Sequence, residues 1–188
     1  MGNKFYSTIQ ASPMVAAVKD IDKIESAIQS PSEIVFLLTG NIFNIKSIVD
    51  RVKSVNMLIY IHIDLMEGFS KDGVALRYIH DNIQPDGIIT TKSNLIKIAK
   101  DLNIFAIQRL FILDSLSLET GIKSIHTTKP DAIEILPGIM PKVIKTFHQE
   151  TRIPVIAGGL IKDKEDVIES LRAGAMGIST TREEVWYF

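Results

Sequence analysis

The chain has 188 residues, 46% of them apolar, with 21 Lys plus Arg against 22 Asp plus Glu. That is enough for one sizeable core, and the near-zero net charge excludes nucleic-acid binding through a global basic excess. The absence of cysteine excludes disulfides, thiolate catalysis and Cys-ligated metals. No signal core is visible in the first ten residues and no apolar run reaches the ~18 residues of a membrane span, so a cytoplasmic location is expected.

Along the chain, short apolar runs alternate with segments of helical periodicity. Residues 12–18 form a first strand, after which Ile21, Ile24 and Ile28 recur at helical spacing. Residues 34–38 give a second strand closed by Thr39-Gly40, and Ile42, Ile45, Ile48, Val49 and Val52 mark the next helix. The third strand covers residues 57–64, followed by a helix over 72–83. A fourth strand at 87–91 leads to a helix capped by Ser93 and running through Leu102. Residues 104–113 are the fifth strand, and Ser115 or Ser117 opens a helix ending near Thr127. The sixth strand is 132–136, with Val143, Ile144 and Phe147 on its helix. Residues 153–160 and 174–181 are the seventh and eighth strands. Eight such units, mostly continuous apolar runs, mean a parallel sheet covered by helices. They predict a compact single-domain (β/α)8 TIM-type barrel over residues 1–188 with short loops, and an open doubly wound sheet is the runner-up. One internal echo supports the count: Pro85-Asp86-Gly87-Ile88 and Pro130-Asp131-Ala132-Ile133 enter strands two units apart, the proline stopping the helix before and the small residue letting strand and helix pack closely.

The ends of the last two strands carry the strongest chemical signal. Gly158-Gly159 expose backbone N–H groups, and Ser179-Thr180 add hydroxyls. In many barrels the loops after strands seven and eight form a phosphate site, aided by the helix N-terminus that follows.

In the third strand, Ile59, Ile61, Ile63 and Leu65 alternate with Tyr60, His62 and Asp64. The apolar set belongs under the helices and the polar set inside the barrel, with Asp64 nearest the mouth. Glu134, a carboxylate in the sixth strand, has to be paired or to bind something. In the fifth strand either Gln108 or Arg109 points inward, and the pattern leaves open which. Glu67-Gly68 begins a tight loop over the mouth. Lys92 ends the fourth strand as a loop lysine, although its place alone would suit a Schiff base. His80, His126 and His148 fall in helices without metal-ligand spacing. Asp64, Glu67 and Glu134 are hard oxygen donors of the kind magnesium takes, yet neither a metal nor any cofactor is expected. Lys97, Lys100, Lys123 and Lys129 fall on adjacent outer helices, and Lys46, Arg51 and Lys53 make a second basic group. Solvated helix faces are the ordinary meaning of such groups, and contact with RNA phosphates is the alternative. Val185-Trp186-Tyr187-Phe188 either seals the barrel or meets another subunit, which leaves a homo-oligomer open.

Several motifs together, His62-Ile63-Asp64-Leu65-Met66-Glu67-Gly68, Gly87-Ile88-Ile89-Thr90-Thr91-Lys92-Ser93, Ala106-Ile107-Gln108-Arg109-Leu110-Phe111, Ile133-Glu134-Ile135-Leu136-Pro137-Gly138 and Pro154-Val155-Ile156-Ala157-Gly158-Gly159-Leu160-Ile161, resemble the glycerol uptake operon antiterminator regulatory proteins over nearly the whole chain. The resemblance implies a barrel that senses glycerol 3-phosphate and, when liganded, binds leader mRNA of glycerol-utilisation genes to prevent termination. It places the phosphate on Gly158, Gly159, Ser179 and Thr180, and the polyol end, or its support, on Asp64, Glu67, Gln108, Arg109 and Glu134. Two departures stand out: Ala16 and Lys19 replace an expected proline and arginine, and Lys92 replaces an arginine, losing a bidentate phosphate binder. The competing reading is a barrel enzyme (lyase, isomerase or hydrolase) acting on a small phosphorylated polyol or sugar, with Asp64, Glu134 and Lys92 as its candidates. No nucleophile motif or cofactor fingerprint supports it, so no catalytic residue is assigned. A third reading is a phosphate-binding barrel that acts only through a protein partner.

Overall fold

The computed structural model describes residues 2–188, with side chains from Lys4 onward. Eight parallel strands close into one barrel in sequence order: β1 Met14–Val18, β2 Ile34–Leu37, β3 Leu58–His62, β4 Gly87–Thr90, β5 Ala106–Phe111, β6 Ala132–Leu136, β7 Val155–Gly158 and β8 Gly177–Thr180. The ring is completed where β8 pairs with β1, Val15 opposite Ser179 and Ala16 opposite Thr180. The helices are α1 Gly2–Ala11, α2 Ile24–Gln29, α3 Ile45–Lys53, α4 Gly73–Tyr78, α5 Ser93–Asp101, α6 Ser115–Thr128, α7 Pro141–Thr151 and α8 Lys164–Arg172. No helix of the described residues is long and apolar enough to cross a membrane.

Strands buried on both faces explain the continuous runs of Ile, Val and Leu. Outward residues such as Val35, Leu37, Ile59 and Ile61 pack under the helices with Ile45, Val49 and Leu76. Inward residues such as Val15, Phe36, Tyr60, Ile89 and Ile156 fill the barrel. The alternation read in the third strand holds through His62. It ends there because residues Ile63–Leu65 turn into a 3-10 helix, so Leu65 is 48% exposed rather than under a helix.

α1 has no counterpart in the sequence reading. Its signal is a single pair of large apolar residues four apart, Phe5 and Ile9, both fully buried. They enter the barrel at the amino-terminal end of the strands, where Phe5 packs its ring 5.3 Å from Tyr60 and 4.8 Å from Phe105. The bare Cα of Gly177 leaves room for the Ile9 side chain. Tyr6 locks the helix by donating its hydroxyl to the Asp131 carbonyl at 2.9 Å.

The Pro-Asp echo is one device used twice. Asp86 accepts a hydrogen bond from the Ile59 amide, and Asp131 accepts one from the Ala106 amide, each at 2.9 Å. Each aspartate also faces a lysine from an earlier helix, Lys53 at 3.9 Å and Lys100 at 2.5 Å. The small residue that follows serves the interior and not helix packing: a Cβ on Gly87 would lie 2.8 Å from the Tyr60 ring. Two other local expectations change. Ser93 is the first residue of α5 and makes no cap, and α6 is capped by Asp114, with Ser117 completing a capping box. After β8 there is no eighth barrel helix but a 3-10 turn, Glu183–Tyr187. It buries Val185 and Trp186, and the Trp186 indole donates to the Thr180 carbonyl at 2.8 Å. The terminus therefore seals the barrel, with Tyr187 and Phe188 left exposed.

Candidate functional site

At the carboxyl ends of the strands a cleft of about 260 Å³ opens between β1, β2, β5, β6, β7 and β8. This lies below the ~300 Å³ at which pockets for drug-sized ligands begin, and it suits a small metabolite. Its charged lining residues are Arg109, Lys162 and Arg182, and no carboxylate lines it. Ala17, Leu38, Leu136 and Leu160 supply its apolar walls.

The turn after β7 forms one side. Gly159 and Leu160 are both left-handed, with φ of 74° and 62°. Leucine rarely adopts that conformation, and residues held in sparsely populated backbone regions cluster at binding sites. Leu160 is also 59% exposed, so burial of its side chain does not explain the strain. Among the described residues the N–H groups of Gly159, Leu160 and Ile161 donate to no protein acceptor. Three free amides in a tight turn form a concavity that accepts an anion.

Opposite them, Ser179 points into the barrel and lines the cleft, and its hydroxyl has no protein partner among the described residues. Thr180 faces the other way. It also lines the cleft, but its hydroxyl donates to the Ile161 carbonyl at 3.3 Å and accepts from the Arg182 amide at 3.2 Å, so its proton ties the two loops together. Gly158, in contrast, is not in the lining. A Cβ there would lie 2.8 Å from Glu134 Oε1, so this glycine makes room for a carboxylate. The helix dipole expected beyond Thr181 is also missing, because the element there is a five-residue 3-10 turn that begins with Glu183 and Glu184.

Arg109, and not Gln108, points inward. Arg109 Nε donates to Glu134 Oε2 at 2.5 Å, with the two residues only 7% and 1% exposed. They sit directly opposite in the β5–β6 register. Nothing else in the protein holds the guanidinium among the described residues, so its two terminal nitrogens face the cleft it lines. Gln108 lies on the helix side of the sheet, where its amide donates to Ser124 at 2.8 Å and its carbonyl accepts from Thr128 at 2.7 Å. It braces α6 and does not reach the mouth.

Asp64 is a clasp between β3 and β4. Thr90 donates its hydroxyl to Oδ1 at 2.8 Å, and Thr91 donates both amide and hydroxyl to Oδ2 at 2.8 and 2.9 Å. Burial alone would raise its pKa, but these hydrogen bonds outweigh that and hold the carboxyl below its ordinary range. Glu67 is exposed, and its backbone joins the loops after β2 and β3: its amide donates to Gly40 at 3.0 Å and its carbonyl accepts from Ile42 at 3.1 Å. Asp64, Glu67 and Glu134 do not converge; among the described residues no group of three or more His, Asp or Glu could hold a metal ion. Lys92 is exposed at the start of α5.

The basic groups fare differently. Lys100 is paired with Asp131 at 2.5 Å, while Lys97, Lys123 and Lys129 have no ion pair among the described residues. In the second group, Lys46 pairs with Asp50, Arg51 with Glu25 through two bonds, and Lys53 with the Gln84 carbonyl.

Two charged cleft residues were not singled out in the sequence, Lys162 and Arg182. Each follows a strand end by a few residues, and their only signal was that position.

With this geometry in place, the similarity to known proteins is decisive. The family model described as glycerol-3-phosphate responsive antiterminator matches residues 14–186. The chain belongs to this family. It is 40% identical over 178 residues to the uncharacterized protein YgcP of Escherichia coli (strain K12), covering 95% of this chain and 93% of that one. A glycerol uptake operon antiterminator regulatory protein from Listeria monocytogenes strain 4b F2365 has a crystal structure that superposes with a TM-score of 0.89 at 33% identity, covering 92% of this chain and 94% of that one. A glycerol uptake operon antiterminator-related protein from Thermotoga maritima MSB8 superposes with a TM-score of 0.84 at 32% identity, covering 93% and 98%.

Proposed function

We propose that this protein senses glycerol 3-phosphate in the mouth cleft and, when liganded, binds leader mRNA of glycerol-utilisation genes as a cytoplasmic transcription antiterminator. One observation carries the ligand half: a small cleft with three cations, no carboxylate and three unpaired amides. The phosphate sits on the amides of residues 159–161, the Ser179 hydroxyl and the terminal nitrogens of Arg109, a planar fork matched to a phosphate edge. Lys162 and Arg182 neutralise its remaining charge from the rim. Gly158 and Thr180 support this set without touching the ligand, and Arg109 moves from the polyol end to the phosphate. The polyol end points toward Glu134, whose Oε1 has no donor among the described residues.

The regulatory half rests on family membership and on linkage. A ligand that spans the loops after β5, β7 and β8 favours whichever arrangement of those loops it binds better, by no more than its differential affinity. Lys97, Lys123 and Lys129 are the free cations offered to RNA phosphates. An electrophoretic mobility shift with leader RNA, with and without glycerol 3-phosphate at two salt concentrations, tests this half. Tighter binding with the ligand, weakened by salt, is expected; identical shifts with and without it remove the gating. Less supports the enzyme reading, since Asp64 accepts three hydrogen bonds from Thr90 and Thr91 and Lys92 is exposed. Turnover of glycerol 3-phosphate followed by NMR would restore it.

A further inference from the structure

Among the described residues only three buried side-chain atoms lack a partner: Ser32 Oγ, His62 Nδ1 and Glu134 Oε1. Ser32 precedes β2, at the amino-terminal end. The other two stand in the barrel interior on β3 and β6, and Arg109 is common to both. It holds Glu134 Oε2 and places its positive charge near His62. A buried polar group without a partner is costly, so two of them in one barrel interior call for an occupant.

The chemistry of that occupant follows from the two atoms. A carboxylate oxygen only accepts, so Glu134 Oε1 needs a donor. It lies just behind the cleft: the bare Gly158 leaves room for it, and the residues on either side of it, Gly159 and Arg109, line the cleft. His62 is 3% exposed, and its Nδ1 lies 4.0 Å from Asp64 Oδ2, too far for a hydrogen bond. Burial first, and then the Arg109 charge, push its pKa down to about 4, so the ring is neutral at pH 7. Either tautomer pairs with a hydroxyl, which both donates and accepts.

We propose that Glu134 and His62 form a hydroxyl-reading subsite behind Arg109, which admits a phosphorylated alcohol and rejects the phosphorylated carboxylic acid of the same length. This rests on the phosphate assignment given under the proposed function. A terminal hydroxymethyl group donates to Glu134 Oε1 and leaves His62 a hydroxyl partner. A carboxylate at the same carbon has no proton to donate and meets Glu134 as a like charge in a desolvated place. Glu134 thus holds Arg109 toward the phosphate and excludes an oxidised polyol end.

Calorimetry on the wild-type chain with inorganic phosphate, glycerol 3-phosphate and 3-phosphoglycerate tests this. Glycerol 3-phosphate is expected to bind at least 30-fold more tightly than 3-phosphoglycerate. Glu134→Gln is expected to narrow that ratio at least tenfold, and Gly158→Ala, whose methyl would lie 2.8 Å from Oε1 and push the carboxylate aside, to narrow it in the same direction. His62→Phe is expected to lower glycerol 3-phosphate affinity at least fivefold, with His62→Gln restoring most of it. Equal affinity of the wild type for the two phosphate esters overturns the subsite while leaving the phosphate site standing. A ratio unchanged in a folded Glu134→Gln protein also overturns it, and assigns the two atoms to ordered water. If the wild type binds neither phosphate nor either ester, the phosphate assignment falls and the subsite falls with it.

Discussion

Arg109 and Glu134 face each other across the β5–β6 pairing, joined at 2.5 Å between Nε and Oε2 and shielded from solvent. The pair uses one nitrogen of the arginine and one oxygen of the glutamate. What it leaves unused, two guanidinium nitrogens in the cleft and one carboxylate oxygen behind them, is what a phosphorylated alcohol needs.

A buried pair of this kind is strongly destabilised by removing one partner. Arg109→Leu strands the Glu134 charge and is expected to cost about 3–5 kcal/mol, whereas the double variant Arg109→Leu/Glu134→Leu loses far less. Urea unfolding of the two variants checks this. Equal losses would mean that the pair's burial is not what matters.

Arg109→Lys keeps the charge and gives up the fork. Glycerol 3-phosphate affinity is expected to fall at least tenfold, read by calorimetry. An unchanged affinity would remove the bidentate contact from the account.

Ser179 and Thr180 make opposite predictions although they are adjacent. Ser179→Ala removes a hydroxyl with no protein partner, so it is expected to weaken ligand binding about 3–10-fold and leave stability nearly unchanged. Thr180→Val removes the tie to Ile161 and Arg182 and is expected to lower stability by about 1 kcal/mol, with a smaller effect on binding. The reverse pattern would return Thr180 to the ligand and Ser179 to the scaffold. Gly159→Val places a β-branched side chain at φ +74° with its Cβ 3.2 Å from Leu136, and loss of glycerol 3-phosphate binding is expected.

The acid limb of stability belongs to His62. Its folded pKa of about 4 lies below the ordinary 6.5, so between those values the unfolded chain takes up a proton that the folded chain refuses. Stability therefore falls as pH drops from 6.5 to about 4, by up to roughly 3 kcal/mol, and this contribution is constant below that. Asp64 adds a loss at lower pH, since its depressed folded pKa gives stability that disappears as pH falls through it. Urea midpoints at pH 7, 5.5 and 4.5 should decline in the wild type and decline much less in His62→Gln. Parallel declines would place the titration elsewhere.

The barrel was legible because parallel strands buried on both faces leave uninterrupted apolar runs, and the glycines and hydroxyls after the last two strands stand out against them. The direction of each side chain was less so. Gln108-Arg109 carries two polar residues in succession, and periodicity alone cannot say which enters the barrel; the β5–β6 register places Arg109 against Glu134. The tie from Thr180 to Ile161 and Arg182 was not legible, because a hydroxyl at a strand end looks the same whether it meets a ligand or a neighbouring loop. Lys162 and Arg182 lie in loops, where no repeat marks a side chain as facing the cleft. Lys100 read as a free surface charge because its partner, Asp131, is 31 residues away.

Calorimetric titration of the wild-type protein with glycerol 3-phosphate and, separately, with glycerol is the most direct measure of the cleft's purpose. Arg109, Ser179 and the free amides of residues 159–161 predict saturable binding of the phosphate ester and at least 100-fold weaker binding of glycerol. Equal affinities, or no binding of the ester, would contradict it.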